Sequence, residues 1–217
     1  MEVIENIIPE IFLSISIMIL LMTGIFIKNS YKIINNFSIF ALFFTILFIL
    51  NQSDEVNKVF NESYIIDSLS IFTKSLTLIS CIFILIISND YIKTININKF
   101  EYPILILTSV LGMLIMISSY DLIVFYMGLE LQSLSLYVLA AINRDNTKST
   151  EAGLKYFVLS ALSSGLLLYG CSLIYGYTGS TNFEIISEKL NQNNIGSIFG
   201  IVFIIVGLAF KVSAVPF

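Results

Sequence analysis

Four charged side chains sit inside apolar runs long enough to cross a bilayer: Lys74, Glu130, Lys155 and Lys211. A carboxylate or an ammonium in such a run is costly, and residues of this kind mark proton relays, ion pathways or paired charges. Glu130 and Lys155 fall on consecutive runs, YDLIVFYMGLELQSLSLYVLAAI and STEAGLKYFVLSALSSGLLLYG, divided by the polar turn NRDNTK. Desolvation disfavours the charged form of each group, and a nearby opposite charge restores it. At an effective dielectric near 20, unit charges about 4 Å apart attract by about 4 kcal/mol. Moving a carboxylate toward or away from a buried lysine therefore loads or unloads a proton near neutral pH, without a cofactor.

The chain that carries these charges has 217 residues, 57% of them hydrophobic and 12% charged. Its mean hydropathy is +0.91. Soluble domains carry roughly 25% charged residues, so this is an integral membrane protein. The polar loops near residues 51–64 and 178–194 are too short to fold alone, which excludes a soluble domain. The net charge of −4 says little about partners, because few charges are in water. There is no His, and Cys81 and Cys171 stand alone in apolar runs. No metal or haem ligand set is visible, and the cysteines read as small packing residues. The opening MEVIENIIPE holds three acids and no basic segment, which argues against a cleaved signal peptide. The last residues, KVSAVPF, fall inside an apolar segment. The chain is expected to be the N-terminal portion of a longer one.

A spanning helix needs about 20 mainly apolar residues. Seven segments qualify: 8–27, 33–50, 66–88, 103–119, 121–142, 149–175 and 195–217. The fold class is all-α, a polytopic transmembrane bundle of about seven spans. Basic residues concentrate in alternate loops: Lys28, Lys32, Lys93, Lys99, Arg144 and Lys148 on one side, against Lys58 and Lys189 on the other. The positive-inside rule then places the N-terminus outside. At 1.5 Å per residue, Lys74 lies about 12 Å, Glu130 about 14 Å and Lys211 about 24 Å from the outer face, and Lys155 about 9 Å from the inner face. All four fall in a central band roughly 10 Å thick, a row parallel to the membrane. Small residues should set helix packing. Ser160, Ala161, Ser164 and Gly165 give the sixth span such a face, and Gly170, Gly200 and Gly207 are further points of close approach.

Each charge has a plainer reading beside the chemical one. Lys155 is near enough to the inner face to snorkel. Lys74 suits a structural pairing with a carboxylate as well as a transport role. Lys211 could be a lysine near the end of a short helix. Glu130 is too central and too short to snorkel, and its plainer reading is a hydrogen-bonded structural carboxyl. Asp67 and Asp121 are expected at the outer interface. Pro216 follows Lys211 closely and weakens the helix near residues 212–214. Either a simple kink or a broken helix lining a hydrated cavity results.

The combination of GLEL, EAGLKYF and GLAFKVSAVPF identifies a resemblance, running from about Ile66 to the end and more loosely before it. The chain resembles the subunit N family of respiratory NADH:quinone oxidoreductase (complex I), whose mitochondrial counterpart is subunit 2. The resemblance implies two inverted five-helix repeats, each with a broken helix. Residues 1–65 would be the first two leading helices. Residues 66–217 would be the third helix and the first part of the antiporter-like core, with a broken seventh helix. Matched by motif, Glu130, Lys155 and Lys211 correspond to the family's proton-relay glutamate and lysines, and Lys74 has no clear counterpart.

The function implied is proton translocation by a membrane-arm subunit, coupled to electron transfer from NADH to quinone. Glu130 would modulate a neighbouring lysine, Lys155 would relay and Lys211 would be the central carrier. The subunit takes part in a translocase but holds no redox centre. NAD, flavin, iron–sulfur clusters and quinone would be bound by other subunits, and no cofactor or metal by this one. Its partners would be the other membrane-arm subunits and the lipid bilayer, not nucleic acid. Its place would be the bacterial inner membrane, or the mitochondrial one. The alternatives are a subunit of a multi-subunit cation/proton antiporter, told apart by sodium-dependent exchange, and a structural subunit that conducts nothing.

Overall fold

The computed structural model describes residues 6–27, 30–52, 56–94, 97–190 and 195–214. Each of the seven expected spans contains a helix. These are α1 (Ile8–Phe26), α2 (Tyr31–Leu50), α3 (Ser68–Thr94), α4 (Glu101–Ile117), α5 (Leu122–Ala140), α6 (Thr147–Thr178) and, after a short helix α7 (Phe183–Lys189), α8 (Ile195–Lys211). Five are long and apolar enough to cross a membrane, and α4 and α8 are shorter apolar helices of 17 residues. Large apolar side chains such as Phe26, Phe40, Phe72 and Ile87 cover the outer surface, as expected where the solvent is lipid.

The polar loops hold more structure than their length suggests. Residues Asn57–Val59 (β1) and Tyr64–Ile66 (β2) pair as an antiparallel hairpin. The hairpin stacks on the turn between α4 and α5. Ile65 N donates to Ser118 O at 2.8 Å, and Tyr120 N to Ser63 O at 2.9 Å. Asn182, before α7, donates from its amide to Glu62 O at 3.0 Å. These bonds satisfy backbone groups that isolated loops would leave to water. Residues 66 and 67, expected inside the third span, instead close the hairpin and cap α3. Asp67 Oδ1 accepts from Ser70 N at 2.7 Å while Ser70 Oγ accepts from Asp67 N at 2.9 Å, a reciprocal cap. Asp121 and Asn146 cap α5 and α6 with one side-chain oxygen each, accepting from Ile123 N and Lys148 N. Gly179, at φ +73°, ends α6.

Two apolar cores form. Leu13, Leu42, Leu78, Leu85, Leu107 and Leu114 lie fully buried among α1–α4. Leu122, Leu129, Leu167, Cys171, Ile174 and Ile186 fill the space among α5–α7, with Leu208 of α8 against them. Close backbone approach joins the helices. A Cβ on Gly112 of α4 would fall 2.6 Å from Gln132 N of α5, and one on Gly128 of α5 would fall 2.8 Å from Met116 N of α4. Gly170 meets the backbone of α8 at Gly200 O (2.8 Å), and Gly207 meets Leu167 Cβ (2.7 Å). The expected small-residue face of α6 needs correcting. A Cβ on Gly165 would meet nothing within 4 Å, and Ala161 is exposed. The buried stripe runs instead through Ser160, Ser163, Ser164, Leu167 and Gly170.

Candidate functional site

Helix α5 presents Tyr126, Glu130, Ser133 and Tyr137 at intervals of four, three and four residues. At 100° per residue these share one face. Lys211, the last residue of α8, reaches this face with all three of its N–H donors. Its Nζ lies 2.9 Å from Ser133 Oγ, 3.0 Å from the Tyr137 hydroxyl and 3.3 Å from Glu130 Oε1. From α6, Ser164 Oγ donates to the same Glu130 oxygen at 2.7 Å and lies 3.1 Å from the Tyr126 hydroxyl. Three helices thus converge on one carboxylate and one ammonium, whose side chains are 20% and 12% exposed.

The end of α8 is built to hold Lys211 there. Ala214 N donates to Ala209 O at 2.9 Å and Ser213 N to Phe210 O at 3.0 Å. Ser213 takes a left-handed φ of +57°. This is the Schellman termination, with serine where glycine is the easier residue. The helix stops at Lys211, inside the apolar segment. Pro216, expected to weaken it, lies outside the described residues.

The expected row of four charges resolves into three separate arrangements. Lys155 does not meet Glu130. Its Nζ pairs with Glu151 Oε1 at 2.5 Å, one turn back on α6, and the two side chains are 67% and 62% exposed. The reason is periodicity. Lys155 precedes Ser164 by nine residues, about 900° or two and a half turns, so it points away from the face that meets Glu130. Lys74 does not join Glu130 either. Its helix starts at Ser68, so it sits about 9 Å from the hairpin end. It is fully buried and pairs with Glu10 Oε1 of α1 at 2.7 Å. The Tyr64 hydroxyl of β2 donates to the same oxygen at 2.7 Å and accepts from Lys74 Nζ at 2.9 Å. Burial first, then the Glu10 charge, pushes the Tyr64 phenol well above its ordinary range.

Sequence reasoning missed Glu10 by counting it with the N-terminal acids. It missed Ser133, Tyr137, Ser164 and Tyr126 as well. The spacing along α5 was a usable signal for three of them. Nothing in the sequence pairs Glu10 with Lys74, which lie 64 positions apart.

Residues 119–217 match the family model described as "NADH:quinone oxidoreductase/Mrp antiporter, TM", and those residues hold Glu130, Lys155 and Lys211. This second half of the chain is therefore similar to that family of antiporter-like membrane subunits. Over its whole length, the chain is similar to NADH-quinone oxidoreductase subunit N. It is 58% identical to that of Pelagibacter ubique over 218 residues, 100% of this chain and 46% of the relative. It is 52% identical to that of Bartonella bacilliformis, over 97% of this chain and 44% of the relative. A chain of respiratory complex I from Thermus thermophilus superposes with a TM-score of 0.79 at 25% identity, over 96% of this chain and 45% of that one. The chain therefore spans a little under half the length of the curated relatives it matches.

Proposed function

We propose that this chain is part of a proton-translocating membrane-arm subunit of an NADH:quinone oxidoreductase, and that Glu130 and Lys211 are its proton-handling pair. The observation that carries the reading is the convergence of α5, α6 and α8 on one carboxylate–ammonium contact at a helix end. At 3.3 Å and an effective dielectric near 20, the attraction is about 5 kcal/mol. Withdrawing the carboxylate to about 7 Å would leave about 2.4 kcal/mol. That difference is worth nearly two decades in proton occupancy. Movement of α8 relative to α5 therefore suffices to release or capture a proton. Ser133, Tyr137 and Ser164 give the proton hydroxyl partners along the same face. The relay role of Lys155 requires a partner other than Glu130, since its side chain faces the other side of α6.

The remaining assignments belong to the same proposal. Residues 1–65 supply leading helices, and residues 66–217 the third helix and the first part of the core. The hairpin end, with the N-terminus, faces outside the inner membrane of a bacterial cell. Other subunits bind NAD, flavin, iron–sulfur clusters and quinone, and the membrane-arm subunits are the partners. The test is Lys211→Ala in the full-length gene, with assembly verified and proton output measured per NADH oxidised. Output should collapse while the complex remains assembled. Unchanged output refutes the reading. Sodium-dependent exchange in vesicles without NADH oxidation would move the assignment to a cation/proton antiporter.

A further inference from the structure

Beneath the hairpin lies an ionisable cluster that the Glu130–Lys211 contact does not use. Glu10 Oε1 accepts from both Lys74 Nζ and the Tyr64 hydroxyl, each at 2.7 Å. The other carboxylate oxygen, Oε2, is buried and has no hydrogen-bond partner among the described residues. Glu10 is 5% exposed. Ser118 Oγ is buried beside the Tyr64 phenol. The two bonds recorded for the Lys74 ammonium use two of its three N–H donors. A structural ion pair in a low-dielectric interior gains most when both oxygens are satisfied. A bare carboxylate oxygen there is expensive. A proton bound at that oxygen removes its charge and transfers the burial cost to the Lys74 ammonium, so the two protonation states are closer in energy than for an isolated buried carboxylate.

Among the described residues the charged and titratable surroundings are few. Lys74 comes from α3 and Tyr64 from β2, and Asp67 is occupied in capping α3. The ionisable residues of α2, Tyr31 and Lys32, and those of α4, Glu101 and Tyr102, lie at the far ends of their helices. The same half of the molecule holds a second polar group at that far end. Tyr31 OH, Asn35 Oδ1 and Ser38 Oγ on α2 and Asn89 Oδ1 on α3 are buried without partners among the described residues. Fully buried Leu42 and Leu78 follow and precede them along those helices, dividing the two groups.

We propose that Glu10, Tyr64 and Lys74 form a second proton-binding site, in which the proton adds to Glu10 Oε2. The carboxylate becomes a carboxylic acid, Oε1 keeps its bonds to Lys74 and Tyr64, and the cluster gains one positive charge. No other bond is made or broken. The site stands whether or not Glu130 and Lys211 move protons.

The test is pH-difference infrared spectroscopy of the full-length chain in its assembled complex, read in the carboxylic C=O region. The wild type should show a titrating band that Glu10→Gln removes and Glu130→Gln leaves in place. Tyr64→Phe removes one donor from the carboxylate and should raise the band's midpoint by about one to two pH units. Identical spectra for the wild type and Glu10→Gln overturn the proposal. If Glu10→Gln fails to assemble, Tyr64→Phe decides, and an unmoved midpoint overturns it. Loss of the Glu130 signal alone would concern the other site and leave this one intact.

Discussion

Replacing Glu130 by glutamine keeps the shape of the side chain and removes its charge. The gross attraction at 3.3 Å is about 5 kcal/mol at an effective dielectric near 20. The glutamine carbonyl can still accept from Ser164, a neutral bond worth about 1 kcal/mol, and from the Lys211 ammonium, a charge-assisted bond worth about 1.5–3 kcal/mol. Breaking a buried pair by removing one partner costs about 3–5 kcal/mol. With the two side chains 20% and 12% exposed, the net loss should be about 2–4 kcal/mol. A double-mutant cycle isolates it. Glu130→Gln, Lys211→Met and the double variant are made in the full-length protein, and unfolding is followed in detergent. The coupling energy should reach about 2 kcal/mol or more. Both single variants should lose proton output while NADH oxidation continues in assembled complex. Additive stabilities within about 0.5 kcal/mol, as for independent sites, would refute the contact. Full proton output in Glu130→Gln would refute its role.

Lys74→Met should destabilise the protein by about 3–5 kcal/mol, because it strands buried Glu10, whereas Lys155→Met removes an exposed pair worth about 0.3–0.5 kcal/mol. Comparing the two unfolding midpoints checks both. Gly112→Ala places a Cβ against the backbone of α5, 2.6 Å from Gln132 N, and should cost about 1–3 kcal/mol. A normal melting temperature would show that α4 and α5 can part cheaply. Ser213→Gly relieves a left-handed serine and should stabilise the chain by about 1 kcal/mol, measured by thermal unfolding. The hydrogen bond from Lys58 to Glu184, 2.8 Å, holds the Glu184 carboxyl below its ordinary range and the Lys58 ammonium above its own. The Glu184 contribution is present above about pH 4.3 and fades as pH falls through its lowered value. The Lys58 contribution is present below about pH 10.4 and fades as pH rises through its raised value. Protection of the 60–63 turn from proteases, compared with Lys58→Met, should therefore differ most between about pH 5 and 10. A constant difference across that range and below it would contradict the link.

The sequence alone determined the membrane setting and the spans. Both follow from local hydropathy, which lipid enforces whatever the packing. It determined that Tyr126, Glu130, Ser133 and Tyr137 share a face, since helix periodicity is local. The same periodicity already turned Lys155 away from the side of α6 that Ser164 occupies. Depth counting is blind to this, because it records height and ignores rotation. Tertiary structure decided the partners. Glu130 meets Lys211 because α5 and α8 both pack on α6, and Glu10 meets Lys74 because α1 and α3 both pack on α2 and α4. Those adjacencies depend on backbone contact at residues such as Gly112, Gly128, Gly170 and Gly207, and on the hairpin that carries Tyr64 down onto α1 and α3. An electrostatic bond of a few ångströms is set by the sum of all those contacts, and no window of the sequence contains them.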